Sequence, residues 1–324
     1  MTRNLPAIPG GKRVTFQSWQ DMSVSQRLTA IERIRIWAPD ARDYLVRLDD
    51  RLRSDGPVTS GKAGVLMTGV DGLGKHSVVE HLALNHPPIA TATIPSQKLI
   101  VVPPIHRPDA PSLTEAIEVA VRWKWPSRLH AGALPASQAN KIFEALDTRV
   151  LIFDRAQFLC TDGRLIPETI PFLVGIMSEG RVLIVLVGPR ELERRVKSRP
   201  ELAGKFFKWR LKPFSLDRHW TAALEDFGAK LPFQDGCLTK DTMPLRLFIA
   251  CWGKPPVLAT LTIEAARVRL GKKSHDVMEM EDFHRAYSEY EPDEKNPFDR
   301  DLTPFALTDI IERGSRANLR DLTS

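Results

Sequence analysis

The chain has 324 residues, of which 43% are hydrophobic and 27% charged, and its net charge is +6. That length suits one large domain with appendages or two modest domains, and that balance describes an ordinary globular protein. The mild positive excess permits an acidic partner such as nucleic acid without demanding one. Cys160, Cys237 and Cys251 are widely spaced and form no CxxC or Cys/His ligand pattern, which predicts buried thiols in a reducing cytosol. The opening Met-Thr-Arg-Asn-Leu-Pro has no apolar signal core, and the longest apolar run, 182–187, is far too short to span a bilayer. A cytoplasmic protein with no membrane partner is expected.

In chain order, residues 1–21 are rich in Pro, Gly and basic side chains and predict an extended arm. A helix start at Ser23, followed by Ile31, Ile34, Ile36 and then Tyr44, Leu45, Leu48 and Leu52, predicts two short helices. After a loop at 54–62, four apolar runs at 63–68, 99–102, 150–153 and 182–187 alternate with helical patterns at 75–84, 113–123, 137–146 and 166–177. Strands apolar throughout and separated by helices predict a parallel sheet covered on both faces, an α/β fold. A fifth strand is predicted at 209–213, and helices at 216–229, 242–251 and 256–270 predict a small helical lid.

Residues 65–77 read Val-Leu-Met-Thr-Gly-Val-Asp-Gly-Leu-Gly-Lys-His-Ser. The frame Gly69-x4-Gly74-Lys75 between a strand and a helix is that of a phosphate-binding P-loop. Its glycines let backbone N–H groups wrap an anion, and Lys75 adds positive potential. The competing reading is a glycine turn before an ordinary helix; Val78, Val79 and Leu82 at helical spacing favour the P-loop. Gly69, Gly72, Gly74, Lys75, His76 and Ser77 are the nucleotide-binding candidates. A P-loop carries Ser or Thr after its lysine to hold magnesium, and here the residue is His76. Ser77 points about 100° away round the helix, and imidazole is a poor ligand for a hard cation.

The second half of such a site is a strand ending in an acid. Residues 150–153 supply the strand and Asp154 the acid, which would hold magnesium only where nucleotide is bound. Arg155 stands where a water-activating Glu would be, and arginine stays protonated at neutral pH. Farther on, 190–218 carries ten Lys or Arg against four acids, and 276–301 carries ten acids against three Lys or Arg. Either run is accounted for by a solvated surface. In the functional reading, the first is a DNA-facing patch with Lys205, Lys208 and Arg210 on backbone phosphates, and the second a flexible interaction tail. Against that patch stands the possibility that Trp209 and Lys212 lie in the fifth strand with part of the run buried. Trp123, Trp125, Trp209, Trp220 and Trp252 read as core or interface residues.

Asp154, then Leu183-Ile-Val-Leu-Val-Gly188-Pro-Arg-Glu-Leu192, Arg199-Pro-Glu-Leu202-Ala-Gly-Lys205-Phe206 and Leu211-Lys-Pro-Phe214 follow in an order that resembles the TniB/TnsC-type AAA+ ATPases of transposons, relatives of the phage MuB protein. The stretch from Gln26 to Trp37 and Asn85-His86-Pro87 resemble them too. The resemblance covers roughly residues 20–270. It implies an AAA+ P-loop core with a helical lid, ATP and magnesium as cofactors, and oligomerisation on double-stranded DNA. The implied protein partners are transposase and target-selection proteins, with further copies of the chain in an oligomer or filament.

Carried over by position, the resemblance makes Asp154, Arg155 and Lys205 catalytic positions, Lys205 replacing an arginine that reaches a neighbouring subunit's nucleotide. Lysine lacks that residue's bidentate fork. It also makes Lys254 the lid's phosphate-sensing candidate, and it places Pro189 where a polar sensor belongs. The domain division that follows is 1–53 arm and helices, 54–214 core, 215–290 lid and 291–324 tail. With His76, Arg155, Pro189 and Lys205 altered together, the expected function is a transposition adaptor that binds DNA and hydrolyses ATP poorly. An active ATP-dependent transposition ATPase and a nucleotide-independent scaffold in defence or regulation stay open as alternatives.

Overall fold

The structure, a computed structural model, describes residues 22–54, 64–89, 95–104, 113–121, 135–161, 164–165, 168–233, 237–272 and 277–323. It divides into two compact units: one from Asp40 to Lys212, the other built from the chain on either side of that span.

The first unit is the predicted parallel sheet. Its strands are β1 (Gly64–Thr68), β2 (Leu99–Val102), β3 (Val150–Phe153), β6 (Leu183–Gly188) and β7 (Phe206–Arg210), in the order β2-β3-β6-β1-β7. A two-stranded antiparallel pair, β4 (Cys160–Thr161) and β5 (Arg164–Leu165), stands apart from it. All five sheet strands run parallel. β1, β3 and β6 are buried along their whole length, as strands covered by helices on both faces must be. The helices of this unit are α2 (Pro39–Arg53), α3 (Lys75–Asn85), α4 (Leu113–Ala120), α5 (Ala136–Ala145), α6 (Thr169–Glu179) and α7 (Glu191–Lys197). Phe143, Leu173, Ile176 and Ile184 are among the side chains that close the core between helices and sheet.

Two of the predicted strands, 99–102 and 150–153, match the structure, 182–187 is displaced by one residue, and 63–68 ends with β1 while its first residue lies outside the described residues. The fifth lies three residues upstream of 209–213. Leu211 N–H still donates to the Thr68 carbonyl, but Pro213 has no N–H to continue the ladder, while Phe206 is buried opposite Gly64. Trp209 does lie in this strand, whereas Lys212 falls beyond it. Trp123 and Trp125 lie outside the described residues.

The second unit is helical: α1 (Val24–Glu32), α8 (Arg218–Gly228), α9 (Met243–Cys251), α10 (Pro255–Leu270), α11 (Met280–Tyr290) and α12 (Pro304–Thr323). α1 opens on a capping box in which Ser23 and Gln26 satisfy each other's backbone N–H groups. Trp220 is fully buried, edge-on to Phe214 and Phe248, and its indole N–H donates to the Pro244 carbonyl. The sequence groups residues 1–53 together, but the structure places α1 in this unit and α2, from Asp40 onward, with the sheet.

The acidic run 276–301 and the segment 291–324, expected to be tails, instead build core among the described residues. Phe283, Tyr287, Phe298, Leu302, Leu307 and Ile311 are buried in the helical unit. Asp282 is fully buried because Arg269 and Lys272 each donate to its carboxylate at 2.7 Å. The buried guanidinium of Arg246 donates to the carbonyls of Pro297, Asp299 and Leu302 at 2.7, 2.8 and 2.9 Å. Such charge-assisted bonds clamp an otherwise irregular segment.

Arg246→Met should therefore destabilise the helical unit by about 2–4 kcal/mol, because buried carbonyls lose their donors without replacement. Denaturant unfolding measures the loss, and limited proteolysis should find new cleavage between residues 291 and 303.

Candidate nucleotide-binding site

The parallel ladders from β1 to β6 and to β7 fix the end of β1, and residues 69–74 turn the chain from there into α3. A Cβ on Gly69 would come 3.0 Å from the Leu211 carbonyl oxygen, so the loop starts where only glycine fits without a shift. Gly72 and Gly74 have φ of 77° and 78°, a region costly for residues with a Cβ. Gly74 is the N-cap of α3 and supplies no side-chain acceptor. The first-turn N–H groups are thus left for an external acceptor, and the helix end favours an anion.

Lys75 is folded back over this loop. Its Nζ donates to the carbonyls of Gly69 at 2.7 Å and Val70 at 2.8 Å, and lies 3.4 Å from Asp71 Oδ1. Burial pushes its pKa below the ordinary lysine value, partly offset by Asp71, Asp154 and Glu191. An ammonium held by carbonyls at the mouth of an anion-binding loop can exchange those oxygens for phosphate oxygens.

Asp154, directly after β3, is 7% exposed. Its Oδ2 lies 2.6 Å from His76 Nδ1, and its Oδ1 accepts the N–H of Arg155 at 2.9 Å. An ionised carboxylate only accepts, so Nδ1 is the donor. Arg155 is exposed and left-handed (φ 50°, ψ 47°), uncommon for a residue with a side chain. Ser77 is half-buried, one residue farther round α3. Magnesium requires hard oxygen ligands in octahedral array. The residue after Lys75 offers a nitrogen, and both oxygens of the acid already accept hydrogen bonds. This donor set does not fit a protein-held magnesium ion. Among the described residues there is also no group of three or more His, Cys, Asp or Glu arranged to hold a metal.

Near the end of β6, a Cβ on Gly188 would come 3.0 Å from Gln157 Oε1, a buried oxygen with no hydrogen-bond partner among the described residues. Pro189 follows half-buried, its carbonyl accepting from Leu192 N–H. Thr68 Oγ1 donates to Glu193 Oε1 at 2.6 Å, and Arg210 grips the same carboxylate through Nε (2.9 Å to Oε1) and Nη2 (2.6 Å to Oε2). The Arg210 bonds, then that of Thr68, hold the Glu193 carboxyl below its ordinary pKa against the opposing effect of burial.

The three candidate DNA contacts are spread along β7 and just before it. Arg210 has its fork on Glu193, although it is half exposed. Lys208 is exposed two residues away on the same strand face, and Lys205 precedes β7 at the opposite end of the ladder from the P-loop. Trp209 is stacked on Tyr44 with centroids 4.7 Å apart, and the Arg47 guanidinium lies 6.0 Å from its ring. Lys254 belongs to the helical unit, at the N-cap of α10. Cys251 is buried and its thiol is pushed up to about 12 by desolvation, which makes it inert, while Cys160 and Cys237 are half-buried.

Sequence reasoning missed Thr68, Glu193 and Gln157. The only available signals were that Thr68 immediately precedes the glycine loop and that Glu193 is an acid within a basic run.

A five-stranded parallel sheet with a glycine-lysine loop after its first strand and an acid after its third defines an AAA+-like P-loop ATPase fold. The Walker-type ATPase of Pyrococcus abyssi shares it with 15% identity and a TM-score of 0.54, the match covering 90% of this chain and 79% of that one. The ORC2 protein of Aeropyrum pernix, solved in ADPNP–ADP complexes, shares it with 16% identity and a TM-score of 0.55, covering 82% and 72%. More specifically, the family model described as bacterial TniB protein matches residues 27–216, and the chain belongs to the TniB family. No curated protein matches the sequence. Among the described residues, no helix is long and apolar enough to cross a membrane.

Because its folded pKa is lowered, Glu193 contributes stability above its ordinary value of 4.5 that is lost as pH falls through the lowered one. Glu193→Gln should cost about 1–3 kcal/mol at neutral pH. In denaturant titrations across pH, variant and parent should converge in acid.

Proposed function

We propose that this TniB-family chain is a cytoplasmic DNA-targeting adaptor of transposition that holds an ATP-type nucleotide at residues 69–75 and turns it over poorly. The observation that carries this reading is His76 seated on Asp154, where a hydrolytic site needs a hydroxyl and a metal-ordering acid. Lys75, the left-handed glycines and the uncapped start of α3 provide for the phosphates; the nucleotides in the Aeropyrum pernix ORC2 complexes support the same use of the fold here. When bound, nucleotide would supply a charged ligand that orders the loop, with Lys75 leaving the loop carbonyls for phosphate oxygens. Arg155 cannot accept a proton from water, and Pro189 offers no side-chain donor. The helical unit is read as the family's lid, with Lys254 carried over as its phosphate-sensing candidate. Duplex DNA, transposase, target-selection proteins and further copies of the chain are the partners this reading implies.

A second reading, a working DNA-stimulated ATPase, is favoured by Lys75 and Asp154 both being in place. Phosphate release separates the two. The adaptor should release little phosphate with or without duplex DNA, while Lys75→Ala should weaken nucleotide binding by about tenfold or more. Robust DNA-stimulated release that disappears in Lys75→Ala would establish the enzyme instead.

DNA affinity should fall steeply with salt, because contacts to backbone phosphates release counterions. Lys208→Glu should weaken it similarly for unrelated sequences, as measured by fluorescence anisotropy; affinity indifferent to salt would remove this surface from consideration.

A further inference from the structure

We propose that the phosphate site takes its nucleotide free of divalent cation, with His76 standing where a metal ion would otherwise be needed. This rests on the nucleotide-binding reading above and goes beyond it.

In a P-loop site with an acid after the third strand, the carboxylate and the phosphates repel each other unless a cation lies between them. Here that acid already accepts hydrogen bonds from the protein on both of its oxygens. His76 Nδ1 lies 2.6 Å from Asp154 Oδ2, and the Arg155 N–H reaches Oδ1 at 2.9 Å. A magnesium ion entering the site would have to share a carboxylate oxygen that already accepts a hydrogen bond. In return it would find a nitrogen ligand at position 76 and no hydroxyl. The phosphates need no metal to meet positive charge, because Lys75 and the first turn of α3 face the loop from the protein side. The His76 side chain is 67% exposed, so it occupies this position without being locked into the core and can be replaced without loss of folding.

The test is calorimetric titration of the full chain with a non-hydrolysable imido analogue of ATP, once with EDTA and once with magnesium. The two affinities should agree within about threefold. In His76→Ser, which restores the hydroxyl and frees Asp154, affinity in EDTA should fall and magnesium should tighten binding by about tenfold or more. Parent binding that requires magnesium, or is tightened tenfold by it, overturns the inference and leaves the nucleotide-binding reading standing. A His76→Ser variant as indifferent to magnesium as the parent removes His76 as the cause and overturns the assignment. No binding in either buffer, with a folded chain by circular dichroism, overturns both the inference and the reading beneath it.

Discussion

β1 is hydrogen-bonded on both sides, to β6 and to β7, and this double pairing holds the phosphate loop. Thr68, opposite Gly188 on one neighbour and Arg210 on the other, cannot slide without breaking two ladders. Its hydroxyl adds a third tie through Glu193, whose carboxylate also takes Arg210. The loop that follows therefore leaves the sheet at a fixed point. Its left-handed glycines are costly in conformational freedom, and the rigidity of their anchor offsets that cost.

From this anchor the chain brings two charged groups to the ends of neighbouring elements and satisfies each with its own partners. Lys75 rests on loop carbonyls, and Asp154 accepts from His76 and from the next residue's backbone. A ligand at such a site competes with bonds already made, so its affinity reflects an exchange rather than the filling of an empty cradle. The exchange is easier at Lys75, where one acceptor replaces another, than at Asp154, where a metal would have to share an oxygen with a donor already bound.

The parallel sheet was legible because its central strands are apolar throughout, a pattern that residues 150–153 and 183–187 display without interruption. β7 was less so: Phe-Phe-Lys-Trp-Arg alternates weakly, and Trp209 drew the predicted strand toward Pro213. α11 was obscured by its acids, since charge is ordinarily a surface signal; here Asp282 is buried against Arg269 and Lys272, which no local pattern announces. Within the site, Lys75 and Asp154 were readable because motif spacing encodes them. The Thr68–Glu193–Arg210 group was not, because it depends on a helix, α7, packing a residue against a strand end 125 positions away.

β7 is the last strand of the sheet, and its outer edge bears on how copies of this chain can meet. Phe207 and Lys208 are exposed along it, and Tyr44 lies flat on Trp209. A strand this short, carrying Lys208 and Arg210, is a poor template for another strand, which is how natural sheets discourage joining edge to edge. A neighbour approaching this edge would accordingly meet side-chain surfaces, whose fit can be loosened and remade, rather than a strand ready to extend the sheet.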